Sequence, residues 1–415
     1  MQNYDFFISR IKESIQPSTG CTEPVAIALN CATARKNILG EIKKVYVKLD
    51  LGLFKNAMGV GIPGSKKRGI KQCIALGIVG GDADSAMNVL QKVGPQHDEL
   101  ADELIPKIDI SVKENTTSLY IETIIETEDD AVRVITYKNH DNIVSIEHTP
   151  FSDFYIENEG ESDTIRMYTL EDMKNFADNV ELDRILFLKE GVEMNRDVSK
   201  EGQGMTFGKS MDAIAKMNGV DGSIPFYIQK VTSCASYARM SGIQLPVMIA
   251  TGSGNQGITL FLTVDAAAEK LGVSEEKEIR ALALAHVVNI YAKSYIGTLS
   301  PLCACSIASG LGACVGIVYL MDGTIQNMFG AIKNTLGSIT GMICDGAKEG
   351  CANKVAISSS AAYLSAMLAV SGAEISPNDG ILSESLADIF KNMELLAKNG
   401  MKDTNKTIVD IMKTK

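Results

Sequence analysis

The 415-residue chain is long enough for two or three domains, at roughly 100–200 residues each. Hydrophobic residues at 45% and charged residues at 22% lie near the average for soluble proteins, which argues against a disordered chain or a membrane protein. A balance of 40 basic against 51 acidic residues, net −11, with no basic block beyond the short SKKRG of Ser65–Gly69, argues against nucleic acid as a partner.

An amphipathic helix opens the chain, with Phe6, Phe7, Ile11 and Ile15 at helical spacing. The segment has neither a basic start nor a continuous apolar run, so no export signal is expected and the localisation is read as cytoplasmic. The nine cysteines are then expected to be reduced thiols. Cys31, Cys73 and Cys234 sit beside alanines in helical patterns and read as core thiols.

The next stretch, QPSTGCTEP from Gln16 to Pro24, mixes prolines, a glycine, hydroxyls, a carboxylate and a cysteine in a way that core burial does not call for. A second helix is expected over Val25–Ile38, which puts Cys21 at a helix entrance. Pro24 suits the first turn there, and Glu23 suits the positive end of the dipole. Free backbone N–H groups at such a position stabilise a thiolate, so the pKa of Cys21 is expected to be lowered.

Period-two alternation begins at Lys43, breaks at FKNAMGVGIPGSKKRG, and returns in IDISVKE, SLYIETIIET, AVRVITYK and NIVSIEHT. The fold class expected is α+β, an N-terminal antiparallel sheet with helices followed by a mainly α-helical domain. The charged stretch Glu157–Arg166 is the expected linker, dividing the chain into residues 1–165 and 166–415. Two uncharged runs, Pro301–Leu320 and Val355–Ala373, reach membrane-spanning length but are rich in Ser, Gly, Ala and Cys, and read as buried helices.

Two glycine-rich stretches imitate nucleotide loops. Thr251–Gly257, TGSGNQG, contains G-x-G-x-x-G after an apolar run, but the following ITLFLTV is β-branched and aromatic where a helix is needed. It is read instead as a flexible loop that lets a small ligand approach, with Asn255 and Gln256 as polar contacts. GVGIPGSKKRG, from Gly59, has the order of its Ser and Lys reversed for a phosphate loop. His97, His140 and His148 lie in polar segments, and His286 reads as a satisfied core residue. No H-x3-H, C-x2-C or G-x-S-x-G arrangement supports zinc or a serine triad.

The strongest chemical signal is the set of cysteines in SPLCACSIASGLGAC and ICDGAKEGC. Iron favours several thiolates converging from separate turns. Cys344 and Cys351 would stand about 10 Å apart along an ideal helix, too far for one small cluster, unless Gly346 and Gly350 break the helix and let the loop wrap. Cys303 and Cys305 point to different sides in most conformations. One of the two is expected to serve, and Cys303, just after Pro301, is preferred. Three ligands rather than four leave one iron open to substrate; buried structural thiols are the alternative.

QPSTGCTEPVAIAL, KNAMGVGIPG, TGSGNQGI, SPLCACSIASGLGA and ICDGAKEGCANKV occur in the order seen in the L-cysteine desulfidase family, itself similar to the α-chain of iron–sulfur L-serine dehydratases. The resemblance spans nearly the whole chain. It implies a [4Fe-4S] cluster on Cys303, Cys344 and Cys351, no pyridoxal phosphate, and Cys21 as the base in β-elimination of L-cysteine to pyruvate, ammonia and sulfide. Ser18, Thr19 and Gly20, with nearby N–H groups, would meet the substrate carboxylate. Lys55, Asn56 and Asn255 are further candidates for substrate contacts, or are surface turn residues. The expected partner is a small amino acid, with no nucleic acid and no membrane; self-association into a homo-oligomer stays open. Rival readings are the same machinery acting on L-serine, a non-catalytic iron–sulfur sensor, and a pyridoxal-phosphate lyase, which would need a Schiff-base lysine and a phosphate cup.

Overall fold

The computed structural model describes residues 4–114, 116, 118–155, 163–297 and 300–414. The N-terminal half runs α1 (Tyr4–Ser14), β1 (Ile15–Thr19), α2 (Thr22–Lys36), β2 (Lys44–Asp50), α3 (Leu51–Ala57), α4 (Ile70–Gly80), α5 (Gln96–Leu104), β3 (Ile108–Lys113), β4 (Tyr120–Glu126), β5 (Ala131–Tyr137) and β6 (Ile143–His148). Residues 157–162 of the expected linker lie outside the described residues, and Thr164–Met167 forms a 3₁₀ turn. The second half holds α6 (Leu170–Asn179), α7 (Leu188–Gly204), α8 (Thr206–Asn218), α9 (Ile224–Met240), β7 (Pro246–Ala250), α10 (Gly254–Leu271), α11 (Glu275–Ile296), α12 (Ala304–Leu320), α13 (Ile325–Ile339), α14 (Cys351–Val370), α15 (Leu386–Leu395) and α16 (Thr404–Lys413). The fold is α+β, as expected.

Alternation in KVYVKLD places Val45, Val47 and Leu49 inward and leaves the intervening residues exposed, as a half-covered strand requires. The sheet order is β3-β2-β4-β5-β6. Its pairs are antiparallel except β2 with β3, whose parallel pairing follows from the helical crossover through α3, α4 and α5. Helix α2 packs on β4 and β5 and against α4. Nearly every residue from Thr22 to Ala34 is buried, so α2 is apolar all round rather than amphipathic. Its buried Asn30 donates to Val134 O at 3.3 Å and Thr136 Oγ1 at 2.9 Å.

In the helical half, α12 lies centrally, packed by α10, α11, α13 and α14. The first uncharged run forms the buried helix α12. The second forms α14, which, contrary to expectation, is buried along one face only and exposes Ile357, Leu364 and Leu368. Among the described residues no helix is long and apolar enough to cross a membrane. Small residues let the backbones approach: a Cβ at Gly312 would stand 2.4 Å from Ala285 O on α11.

One ribbon crosses between the halves. β1 pairs antiparallel with β7, Ile15 opposite Ala250 and Thr19 opposite Pro246. Phe7, Ile8 and Ile11 of α1 join the helical core. The QPSTG segment is thus partly a strand. The TGSGNQG stretch also departs from expectation, because a helix, α10, does follow β7. Its β-branched residues are buried on every side, and packing overrides their weak helix preference. The pairing of β7 is antiparallel, so no dinucleotide-type βαβ unit results.

Candidate active site

Helices α2, α10, α12 and α14 bring their N-termini to one place. Cys21 is the N-cap of α2, Ser253 of α10 and Cys303 of α12, while Cys351 is the first residue of α14 after Gly350. None of the four ends has a side-chain cap, so each presents the positive end of its dipole, although at α14 the N–H groups of Cys351 and Ala352 are taken by Lys348 O at 2.9 Å and Glu349 O at 3.0 Å.

Thiols gather at these ends. An antiparallel bridge between Leu302 and Ile343, closed by Cys303 N to Met342 O at 2.9 Å and Cys344 N to Pro301 O at 2.7 Å, holds Cys303 and Cys344 on adjacent segments. From Cys344 the chain loops back to α14. Lys348 pairs with Asp345 at 2.5 Å, and Lys354 binds Ile343 O at 2.8 Å and also pairs with Asp345. The expected break of a helix by two glycines is replaced by a loop: Gly346 turns it at φ 95°, whereas Gly350 is itself helical. Cys21 lies in a small apolar cluster with Val60 and Met240, against which Ala347 and Cys351 pack. Cys305 approaches Ser253 Oγ at 3.9 Å and donates to Cys303, so both members of the C-x-C pair face the same region.

Electrostatics differentiate these thiols. Cys21 is 3% exposed, and burial, with Glu23 second, raises its pKa well above the usual thiol value. The position at a helix entrance is as expected, but the direction of the shift is the reverse, because desolvation and a neighbouring carboxylate outweigh the dipole and Arg239. Cys21 Sγ donates to Glu23 Oε2 at 3.2 Å, and Asn56 Nδ2 donates to Glu23 Oε1 at 2.9 Å. Cys303 is held down at about 6, first by the hydrogen bond from Cys305. Lys293 falls to about 8 through burial, with the thiols and Glu23 opposing.

The remaining candidates fall in several settings. Lys55 and Asn56 lie on α3 and are buried, not in a surface turn; Lys55 Nζ reaches Cys344 O at 2.6 Å and Asn405 Oδ1 at 2.8 Å. Asn56 Oδ1 accepts from Cys344 Sγ at 3.7 Å. Asn255 is buried, its Oδ1 accepting from Ser236 at 3.2 Å and Arg239 at 3.2 Å. Gly20 offers its carbonyl to Arg239 at 3.1 Å. Thr19 donates to Asn88 at 2.9 Å, away from the thiols, and the buried hydroxyl of Ser18 has no partner among the described residues. Gln256 bonds back to Thr251 at 2.7 Å. A cleft of about 640 Å³, lined by Gln16, His140, Thr251, Gly252 and Lys293 among others, opens beside this assembly.

The serine dehydratase alpha chain family matches residues 84–410. The chain belongs to this family. Cys303, Cys344, Cys351 and Asn255 fall inside the matched range, and the Cys21 loop, Lys55 and Asn56 precede it. Relatives align over more of the chain. It is 38% identical over 423 residues to a UPF0597 protein of Clostridium tetani, covering 99% of each chain. A UPF0597 protein of Clostridium perfringens is 36% identical over 419 residues, 98% of each. One from Alkaliphilus oremlandii is 36% identical over 426 residues, 100% of this chain and 99% of the other.

Sequence reasoning missed Arg239, His140 and Lys293 around this candidate site. Arg239 and Lys293 carried a usable signal, each a cation in an otherwise apolar helical run, TSCASYARM and ALALAHVVNIYAK. His140 had none, since it belongs to a polar turn and is buried where the distant Gly252 loop packs against its ring.

Proposed function

We propose that this member of the serine dehydratase α-chain family is an L-cysteine desulfidase, with Cys303, Cys344 and Cys351 holding a [4Fe-4S] cluster and Cys21 acting as base. The observation that carries the reading is the meeting of Cys21, Cys303 and Cys351 at uncapped helix starts, with Cys344 on the segment bridged to Cys303. Thiolate-bound iron–sulfur centres are anionic, and free N–H groups and dipoles favour an anion there. The donor set fits a cluster better than a single ion. No group of three potential ligands among the described residues is close enough to share one metal, whereas cluster ligands bind separate irons and stand further apart.

When bound, the open iron supplies Lewis acidity toward the leaving atom. The chain supplies the proton handling. Cys21 Sγ donates to Glu23 Oε2, which Asn56 holds in place, so the carboxylate is the group positioned to take the thiol hydrogen as the sulfur accepts the substrate Cα proton. The C–H electrons form the Cα–Cβ double bond, the Cβ–S bond breaks, and sulfur leaves with its electron pair as hydrosulfide. The aminoacrylate released tautomerises, and water hydrolyses the imine to pyruvate and ammonia. Val60, Met240 and Ala347 beside the base make an apolar wall without a proton donor. Such a wall suits sulfide, which departs unprotonated, better than hydroxide.

The family match itself favours the second reading, L-serine as substrate on the same residues. Pyruvate formation by anaerobically reconstituted protein, with L-cysteine and L-serine in parallel, tests the proposal. Preference for cysteine with stoichiometric sulfide is expected. Preference for serine would make it a dehydratase, and silence with both would favour a non-catalytic iron–sulfur protein.

A further inference from the structure

Arg239, near the C-terminus of α9, is the largest side chain among the fully buried residues, at 2% exposed. A cation so placed is ordinarily matched by a carboxylate, because an uncompensated buried charge is strongly unfavourable. Among the described residues Arg239 makes no direct ion pair; the Glu23 carboxylate is near enough to feel its charge but is bonded to Cys21 and Asn56 instead. The three hydrogen bonds of Arg239 among the described residues go to neutral oxygens: Nε to Gly20 O at 3.1 Å, Nη1 to Asn255 Oδ1 at 3.2 Å and Nη2 to Thr22 Oγ1 at 3.3 Å. A guanidinium carries five N–H donors, so two are left over from these bonds. The group also lies where α2 and α10 begin, so the free N–H groups of two uncapped helices share its surroundings.

The chain has been shaped to admit this cation. A Cβ at Gly254 would stand 2.2 Å from Nε and 2.4 Å from Cζ, so the guanidinium lies flat against the first residue of α10. The wide cleft reaches Thr251 and Gly252, just before that glycine. Cys21 does not occupy the spare donors, since its sulfur is bonded to Glu23.

We infer that Arg239 anchors the α-carboxylate of the amino-acid substrate, using the donors left over after it has tied the Gly20–Thr22 turn to Asn255. This rests on the β-elimination reading and adds a requirement to it: the substrate needs a free carboxylate, and its Cα is fixed between that anchor and Cys21. Thr22 and Asn255 are then positioning residues that orient the fork.

The test compares two thiols differing only in that charge, 3-mercaptopropionate and 3-mercaptopropionamide, binding to the reconstituted protein by anaerobic calorimetry. Wild type is expected to prefer the carboxylate by about 10- to 100-fold, the range for a charged hydrogen bond. In R239Q the preference should vanish while amide binding stays, whereas a merely structural arginine would weaken both ligands alike. R239K should retain part of it, having the charge without the fork. If R239Q does not fold, G254A displaces the guanidinium and should also lose the preference. Full preference in a folded R239Q or in G254A, or none in wild type, overturns the inference. A preference that depends on Arg239 in a protein that turns over neither cysteine nor serine would instead sink the β-elimination reading and leave the carboxylate site standing.

Discussion

The helical half begins its helices in two different ways. At one end of the bundle α10, α12 and α14 start without side-chain caps, on Ser253, Cys303 and Gly350. At the other, α11 starts on Ser274, which accepts from Lys277 N, and α13 on a full capping box of Thr324 and Asn327. An ion pair of 2.7 Å between Lys277 and Asp322 ties these capped starts together. The capped end is built for stability. The uncapped end forgoes roughly 1 kcal/mol of side-chain capping per helix and turns the positive ends of its dipoles toward the proposed site. Uncapped ends gathered on thiols and a buried arginine are the arrangement expected where function outweighs stability, as the proposed site requires.

Breaking the uncapped end should cost most. Replacing Cys21 with Ala is expected to lower turnover by about 10²–10⁴-fold, the range for a lost general base, with iron content unchanged. Iron lost together with activity would make Cys21 a ligand instead. Cys351→Ala should remove bound iron altogether, as iron analysis after anaerobic reconstitution would reveal; iron retained in full would sink its assignment as a ligand.

Tightly packed interior comes next. Gly312→Ala forces a methyl group against Ala285 O, and chemical denaturation should register about 1–3 kcal/mol of lost stability. At the capped end, Thr324→Ala should cost about 1 kcal/mol and leave iron content and turnover as they were. If it altered activity, the division of labour between the two ends would be wrong.

The mildest effect concerns pH. Glu278, in the first turn of α11, shares a hydrogen bond with buried Asp265, and burial followed by Asp265 raises its pKa to about 8. The folded state therefore holds a proton that the unfolded chain releases near pH ~4.3. Stability should fall as pH rises between those values, and Glu278→Gln should flatten that slope in denaturation midpoints. An unchanged slope would mean that the shared proton is absent.

Much of this could be read from residues alone. Alternation in KVYVKLD and the apolar run of Pro301–Leu320 report on their own neighbours along the chain, and the strand and helix formed accordingly. QPSTGCTEP stood out because its mixture has no use in a core. Other features were illegible for definable reasons. ITLFLTV looked extended by propensity, yet it is helical because burial on all sides decides between two weak preferences. Lys55 and Asn56 looked like turn residues because nothing local announces that the Cys344 loop covers them.

Residue pattern thus determined the strand KVYVKLD, the helix of the Pro301–Leu320 run and the α+β class, since these depend on periodicity along the chain. Tertiary structure alone decided that four helix starts meet, that β1 crosses to β7, that Arg239 lies against Gly254, and that the pKa of Cys21 rises rather than falls. The physical reason is the same for all four. Desolvation, close approach and charge pairing are set by groups that distant parts of the chain bring together, and no local stretch of sequence contains them.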